Sequence, residues 1–198
     1  DKSPSSTIHA QAVREMHRIY PDAKLVYIVR DGRDVLLSQR MRNFVEKSKF
    51  LTPADRQIID ALKLDPAPFS DGRRSIFTEA FIRREAQDWA ADLTEITAEA
   101  QRLYPQAFLP LRYEDMLANP FIEIRKVWDF LGAQTDPALE ATVQQEISQN
   151  PDEEWQAHSD GSLASFLPRG KAGNWHNLFT QADKALFKEI AGETLVRW

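Results

Sequence analysis

The stretch Lys24–Ser38, KLVYIVRDGRDVLLS, constrains the fold of this chain more than any other. Lys24 to Val29 reads as a strand, with Leu25, Val26, Ile28 and Val29 placing apolar or β-branched groups on both faces. That pattern predicts a strand buried on both sides, as in a parallel sheet covered by helices. Arg30 stands where the strand stops. Asp31 and Gly32 make the turn, and Val35, Leu36 and Leu37 begin a helix that carries Ser38 about two turns in. A cation at the carboxyl end of a parallel strand, facing a helix start, is where open α/β sheets take anionic ligands. The same residues also fit an ordinary strand–turn–helix with an Asp cap and a solvated Arg, since this architecture recurs with many functions.

Length and composition set the outer limits. A chain of 198 residues, 42% hydrophobic and 28% charged, is large enough for one globular domain with its own core. No run approaches the roughly 18 apolar residues of a membrane span. The absence of cysteine removes disulfides, thiolate metal sites and cysteine nucleophiles, and suits a cytoplasmic protein. A net charge of −5 argues against general nucleic-acid binding. The charge is uneven, however. Lys24 to Arg42 holds five cations and two anions, Phe166 to Asn177 holds Arg169 and Lys171 with no acid, and Asp136 to Asp160 holds seven acids and no Lys or Arg. Two basic islands in an acidic chain suggest a confined anionic ligand, although clustering on a solvated surface gives the same count.

In chain order, Ser5 or Ser6 is placed to cap a helix running to about Met16. Thr52 and Pro53 start a second, to about Leu62. Leu64 to Arg74, with Pro66, Pro68 and Gly72, reads as loop. Ile76 to Leu103 is the longest helical signal, with Ile82, Ala86, Trp89, Leu93, Ile96, Ala100 and Leu103 at alternating spacings of four and three. Phe108 to Leu111 is a second short strand, again ended by a cation, Arg112, and followed by Tyr113, Glu114 and Asp115. Asn119 and Pro120 open an amphipathic helix with Phe121, Ile124, Val127, Trp128 and Leu131 inward and Gly132 as its stop. Pro137 to Ile147 and Gln181 to Leu195 are further helices. Between them Asn150 to Asn177 reads as a long loop centred on LPRGKAGNWHN, a length usually reserved for function. The order predicts a three-layer α/β domain with few strands.

Three of these stretches, KLVYIVRDGRDVLLS, LRYEDMLANPFIEIRKVWDFLG and LPRGKAGNWHNLFT, resemble in order the signature segments of sulfotransferases that use 3′-phosphoadenosine 5′-phosphosulfate (PAPS). The opening DKSPS resembles the E-K-[ST]-P segment of carbohydrate-type and many bacterial members. The resemblance covers nearly the whole chain. It implies an α/β, three-layer P-loop-like fold, a short parallel sheet flanked by many helices. No G-x-x-x-x-G-K-[ST] or P-K-[ST]-G-T-[ST] loop is present. The expectation is therefore a single domain over residues 1–198, truncated at its N-terminus and lacking its first strand, and inactive by itself.

The resemblance also implies roles. Arg30 and Ser38 correspond to the pair that holds the 3′-phosphate of the nucleotide, and guanidinium and hydroxyl both donate to phosphate oxygens. Tyr113 corresponds to the tyrosine on the adenine. Arg169 and Gly170 correspond to the end of an R-K-G loop over the same phosphate, with Lys171 adding charge. Gly173 and Trp175 match the G-[DN]-W that anchors this loop. Pro168 and Asn174 depart from the pattern, and Pro168 costs one phosphate donor. Lys2, in the E-K-[ST]-P position, is the candidate catalytic cation. His9 falls inside a helical pattern and reads as a surface or core histidine. His17, His158 and His176 lack a paired carboxylate or metal-ligand spacing. The general base is expected upstream, and no metal is implied.

The reaction implied is transfer of a sulfuryl group from PAPS to a hydroxyl or amine. The alternatives are a non-catalytic nucleotide-binding module and a helical interaction protein keeping only the 3′-phosphate half-site. The acceptor, a small molecule, carbohydrate, lipid or peptide, would be chosen by Phe44–Arg74 and Asn150–Phe166, where Phe50, Phe69 and Trp155 are candidates to line an apolar pocket.

Overall fold

A computed structural model describes residues 9–46, 51–134, 137–148 and 171–198. Among these, helices dominate and two parallel strands form the sheet. The order is α1 (Ala10–Ile19), β1 (Leu25–Val29), α2 (Gly32–Glu46), α3 (Pro53–Leu64), α4 (Ala67–Ser70), α5 (Glu79–Leu103), β2 (Phe108–Arg112), α6 (Tyr113–Ala118), α7 (Pro120–Leu131), α8 (Pro137–Ser148), α9 (Trp175–Leu178) and α10 (Gln181–Arg197). β1 and β2 pair in parallel, from Leu25 opposite Phe108 to Val29 opposite Arg112.

The 25 residues of α5 make a rod about 37 Å long, and two cores form along it. Its first half, with Phe81, Ile82 and Ala86, packs with Leu36, Leu37 and Phe44 of α2, Ile59 and Leu62 of α3, Phe69, and Phe187 of α10. Its second half, with Ile96, Ala100 and Tyr104, packs with Val13 of α1 and against Leu25, Tyr27 and Phe108 of the sheet. The apolar rows read from the sequence are thus the ones that are buried, since a helix laid between two layers must be apolar along its contact stripe.

The capping signals act as their chemistry requires. Thr52 accepts from the Asp55 amide while the Asp55 carboxylate accepts from Thr52, a reciprocal box ahead of Pro53. Thr180 and Asp183 repeat it at α10. Gly132 ends α7 at φ 71°, a left-handed conformation that costs glycine little.

Several expectations are corrected. The first helix begins at Ala10, with His9 at the N-cap position but making no side-chain cap, and runs three residues past Met16; Ser5 and Ser6 lie outside the described residues. α2 begins at Gly32, three residues before Val35, because the turn itself adopts helical geometry. Leu64–Arg74 contains the short helix α4, whose Phe69 is fully buried and so lines no acceptor pocket. In α7, Leu131 is exposed and Glu123 is buried beside Lys126 at 2.6 Å. β1 is not buried on both sides: Leu111 of β2 is covered, but its register partner Ile28 is 52% exposed. Helices α6 and α7 pack on β2, and Ile28 on the same face of β1 is left half exposed. Phe50 and Trp155 lie outside the described residues.

Candidate functional site

The carboxyl ends of β1 and β2 open into a cleft of about 60 Å³. Its charged wall is Arg30, Asp31 and Arg33 from the β1–α2 turn with Arg112 and Glu114 from the β2–α6 turn. Trp89 of α5 and Leu195 and Trp198 from the C-terminal end form the apolar wall. Parallel pairing accounts for the juxtaposition, because it sends both chains out of the sheet at the same edge.

Arg30 is half-buried at this edge. Its Nη2 donates to the carbonyl of Lys171 at 3.2 Å, and its guanidinium carbon lies 5.0 Å from the centre of the Tyr113 ring. Its Nε is buried with no hydrogen-bond partner among the described residues. A buried guanidinium N–H without an acceptor is costly unless a ligand supplies one. The turn beneath it is tightly specified. The Asp31 amide donates to Glu114 at 2.9 Å, which ties the two strand-end turns together. The Asp31 carboxylate takes both Nε and Nη2 of Arg33, at 2.9 and 2.5 Å.

The described part of the second basic island, from Lys171, comes to the β1–α2 turn. Asp34, in the first turn of α2 and only 2% exposed, accepts the Gly173 amide at 2.6 Å and the Trp175 amide at 3.2 Å. Gly173 reaches it at φ 83°, where a side chain would be strained. Arg33 stacks on the Trp175 ring at 3.5 Å, with His176 on the same ring at 3.8 Å between centroids. Residues 171–175 are therefore pinned to the start of α2, which fits the anchoring role expected of Gly173 and Trp175.

The sequence-derived candidates fall as follows. Arg30, Tyr113 and Lys171 meet, but Lys171 meets Arg30 through its backbone carbonyl, and its side chain is exposed. Ser38 is exposed on α2, about 9 Å of helix rise beyond Gly32, and is not part of the cleft wall. Lys2, Arg169 and Gly170 lie outside the described residues. His9 is exposed, with Nδ1 2.9 Å from Asp92. Among the described residues no cluster of three or more His, Cys, Asp or Glu is placed to hold a metal, and no helix is long and apolar enough to cross a membrane. Asp34, Glu114 and Trp89 were not singled out as site residues from sequence. Their partners are 139, 83 and 57 positions away, beyond any local spacing signal.

Comparison with known proteins gives one answer. The family model for the sulfotransferase domain matches residues 9–198. Human sulfotransferase 1C2 is 26% identical over 182 residues, covering 85% of this chain and 53% of its own length. Bovine sulfotransferase 1A1 is 28% identical over 192 residues, covering 88% of this chain and 58% of its own. Flavonol 3-sulfotransferase of Flaveria bidentis is 28% identical over 219 residues, covering 98% and 63%. Among solved structures, mouse sulfotransferase SULT7A1 complexed with PAP superposes with a TM-score of 0.56 at 16% identity, covering 96% of this chain and 67% of that one. This likeness assigns the helix-rich domain and its short parallel sheet to the sulfotransferase α/β fold. The chain spans little more than half the length of the first two relatives.

Proposed function

Since the chain belongs to the sulfotransferase domain family, we propose that it takes part in transferring a sulfuryl group from PAPS to a hydroxyl or amine on a small-molecule, carbohydrate or lipid acceptor. The observation that carries this reading is Arg30: a half-buried guanidinium at the end of β1, lining a small cleft, with a buried N–H lacking an acceptor among the described residues. A phosphate oxygen is the acceptor such a fork matches best. In this reading Arg30 and Ser38 hold the 3′-phosphate, with Arg169, Gly170 and Lys171 closing over it. Tyr113 lies along the adenine and restrains the Arg30 guanidinium through its ring. Asp34 fixes residues 173–175 so that the preceding loop approaches the same anion. PAPS supplies the activated sulfuryl group, and Lys2 is the candidate cation for the charge that develops on the leaving phosphate.

The reading assigns the whole of residues 1–198 to one domain in a cytoplasmic protein, with no nucleic-acid or metal partner. Its test is calorimetry of the chain with PAP, the 3′,5′-bisphosphate product, and with 5′-AMP, which lacks the 3′-phosphate. PAP binding at least tenfold tighter than AMP is expected. Equal affinities would remove the 3′-phosphate site.

A further inference from the structure

A carboxylate, Glu114, lines a cleft whose ligand, in the reading above, is an anion. Charge alone makes that placement unfavourable, because like charges repel and water screens them less in a partly buried site. Nor does Glu114 neutralise the guanidinium groups around it. Arg33 is paired with Asp31, Arg112 lies 4.0 Å from Asp115, and among the described residues Glu114 is in no ion pair. Its Oε1 accepts instead from the main-chain amide of Asp31, at 2.9 Å.

The sheet explains why that amide needs an acceptor. β1 and β2 pair in parallel as far as Val29 and Arg112. At Tyr113 the second chain turns into α6, so its main chain leaves the ladder. The register carries on in the side chains. Two residues beyond the last pair, Asp31 stands by Glu114, whose carboxylate supplies the acceptor that the ladder no longer offers. One residue beyond it, Arg30 stands by Tyr113, with its guanidinium carbon 5.0 Å from the centre of that ring. The Asp31 amide shares a planar peptide unit with the Arg30 carbonyl, so fixing that plane fixes the ψ angle of Arg30. The main chain of Arg30 is thus set by Glu114 and its guanidinium by Tyr113, neighbours on one turn. The next residues enter α2, where the Val35 amide donates to the Asp31 carbonyl at 3.0 Å.

We infer that Glu114 is a positioning residue: it holds the Arg30–Asp31 peptide so that the Arg30 guanidinium is set for the anion, and it strengthens anion binding despite its own charge. The inference rests on the functional reading above, in which Arg30 takes a nucleotide phosphate; Glu114 acts through Arg30 and not on the ligand.

The experiment measures the affinity of PAP and of 5′-AMP for the wild-type chain, Glu114→Met, Glu114→Gln and Arg30→Ala, with circular dichroism to establish folding. Methionine keeps the length of the side chain and removes the oxygen acceptor; glutamine removes the charge and keeps an acceptor. Glu114→Met is expected to weaken PAP at least fivefold and AMP less than twofold, and Glu114→Gln to recover PAP affinity to within about twofold of wild type. Added to the Arg30→Ala chain, Glu114→Met should change PAP affinity less than twofold, since residues that act through one another are not additive. A folded Glu114→Met that binds PAP as tightly as wild type, or more tightly as charge repulsion alone requires, overturns the inference and leaves the functional reading standing. So does an equal loss in the wild-type and Arg30→Ala backgrounds, an equal loss for PAP and AMP, or a Glu114→Gln as weak as Glu114→Met. A wild-type chain that does not distinguish PAP from AMP removes the functional reading and the inference with it. Should Glu114→Met not fold, Glu114→Gln decides: PAP affinity within about twofold of wild type supports the acceptor role, and a larger change in either direction overturns it.

Discussion

A Cβ built on Gly32 would lie 2.5 Å from Cδ2 of Trp89, so the first residue of α2 has no room for a side chain. The helix start that carries the Arg30 turn is thereby seated against the apolar wall of the cleft. Gly32→Ala must displace the Trp89 ring, and overpacking of this kind costs about 1–3 kcal/mol. Urea unfolding should show that loss together with changed Trp fluorescence; unaltered stability would mean that the ring moves freely. Of this residue-scale detail, the sequence reveals Arg30 at the end of β1 and a change of direction at Asp31. It does not reveal that Gly32 is required by packing or that Asp34 holds Gly173. Both facts depend on contacts across more than 50 positions, which no periodicity encodes.

At the scale of elements, α2 binds the 51–76 excursion through a buried cation. Arg40, 2% exposed, pairs with Asp55 at 2.7 Å, donates Nε to the Ile76 carbonyl at 2.7 Å, and lies 4.3 Å from the centre of the Phe44 ring. Burial pushes the Arg40 guanidinium down from its ordinary value, and Asp55 opposes that. Arg40→Met leaves Asp55 without its cation and should cost about 3–5 kcal/mol by denaturant titration. A single substitution costing under about 1 kcal/mol would show that the pair is dispensable.

A second link joins α1 to α5. Hydrogen bonds from Arg102 hold the Glu99 carboxyl down to about 2 from an ordinary 4.5; partial burial opposes them, and Arg14 adds to them from α1 at 3.3 Å. A carboxyl lowered in the folded state contributes stability above 4.5 and loses it as pH falls toward about 2. Glu99→Gln should therefore melt below wild type at neutral pH, with the gap closing over that acid range. A gap that does not change with pH would contradict the link. The long helices were legible, because their apolar stripes and caps are local; the short α4, α6 and α9, the last overlapping the stretch Asn150–Asn177 read as loop, were not. Nor were the partners of Arg40 and Arg14.

Across the whole molecule, the backbone of Lys171 and Gly173, more than 100 residues on in sequence, returns to the first basic island at Arg30 and Asp34. Charge marked both basic islands in the sequence, and the parallel pairing of two short strands could be anticipated from their patterns. The exposed face of β1 could not, because an apolar run such as Leu25–Val29 reads the same whether one face or two are covered.

The central claim is that Arg30 supplies the guanidinium for a nucleotide phosphate, and titration of PAP into the wild-type chain and into Arg30→Ala tests it most directly. Loss of a charged hydrogen-bond partner predicts affinity weaker by about 2 kcal/mol, close to thirtyfold, with the fold intact by circular dichroism. A folded Arg30→Ala chain that binds PAP as tightly as wild type would contradict it.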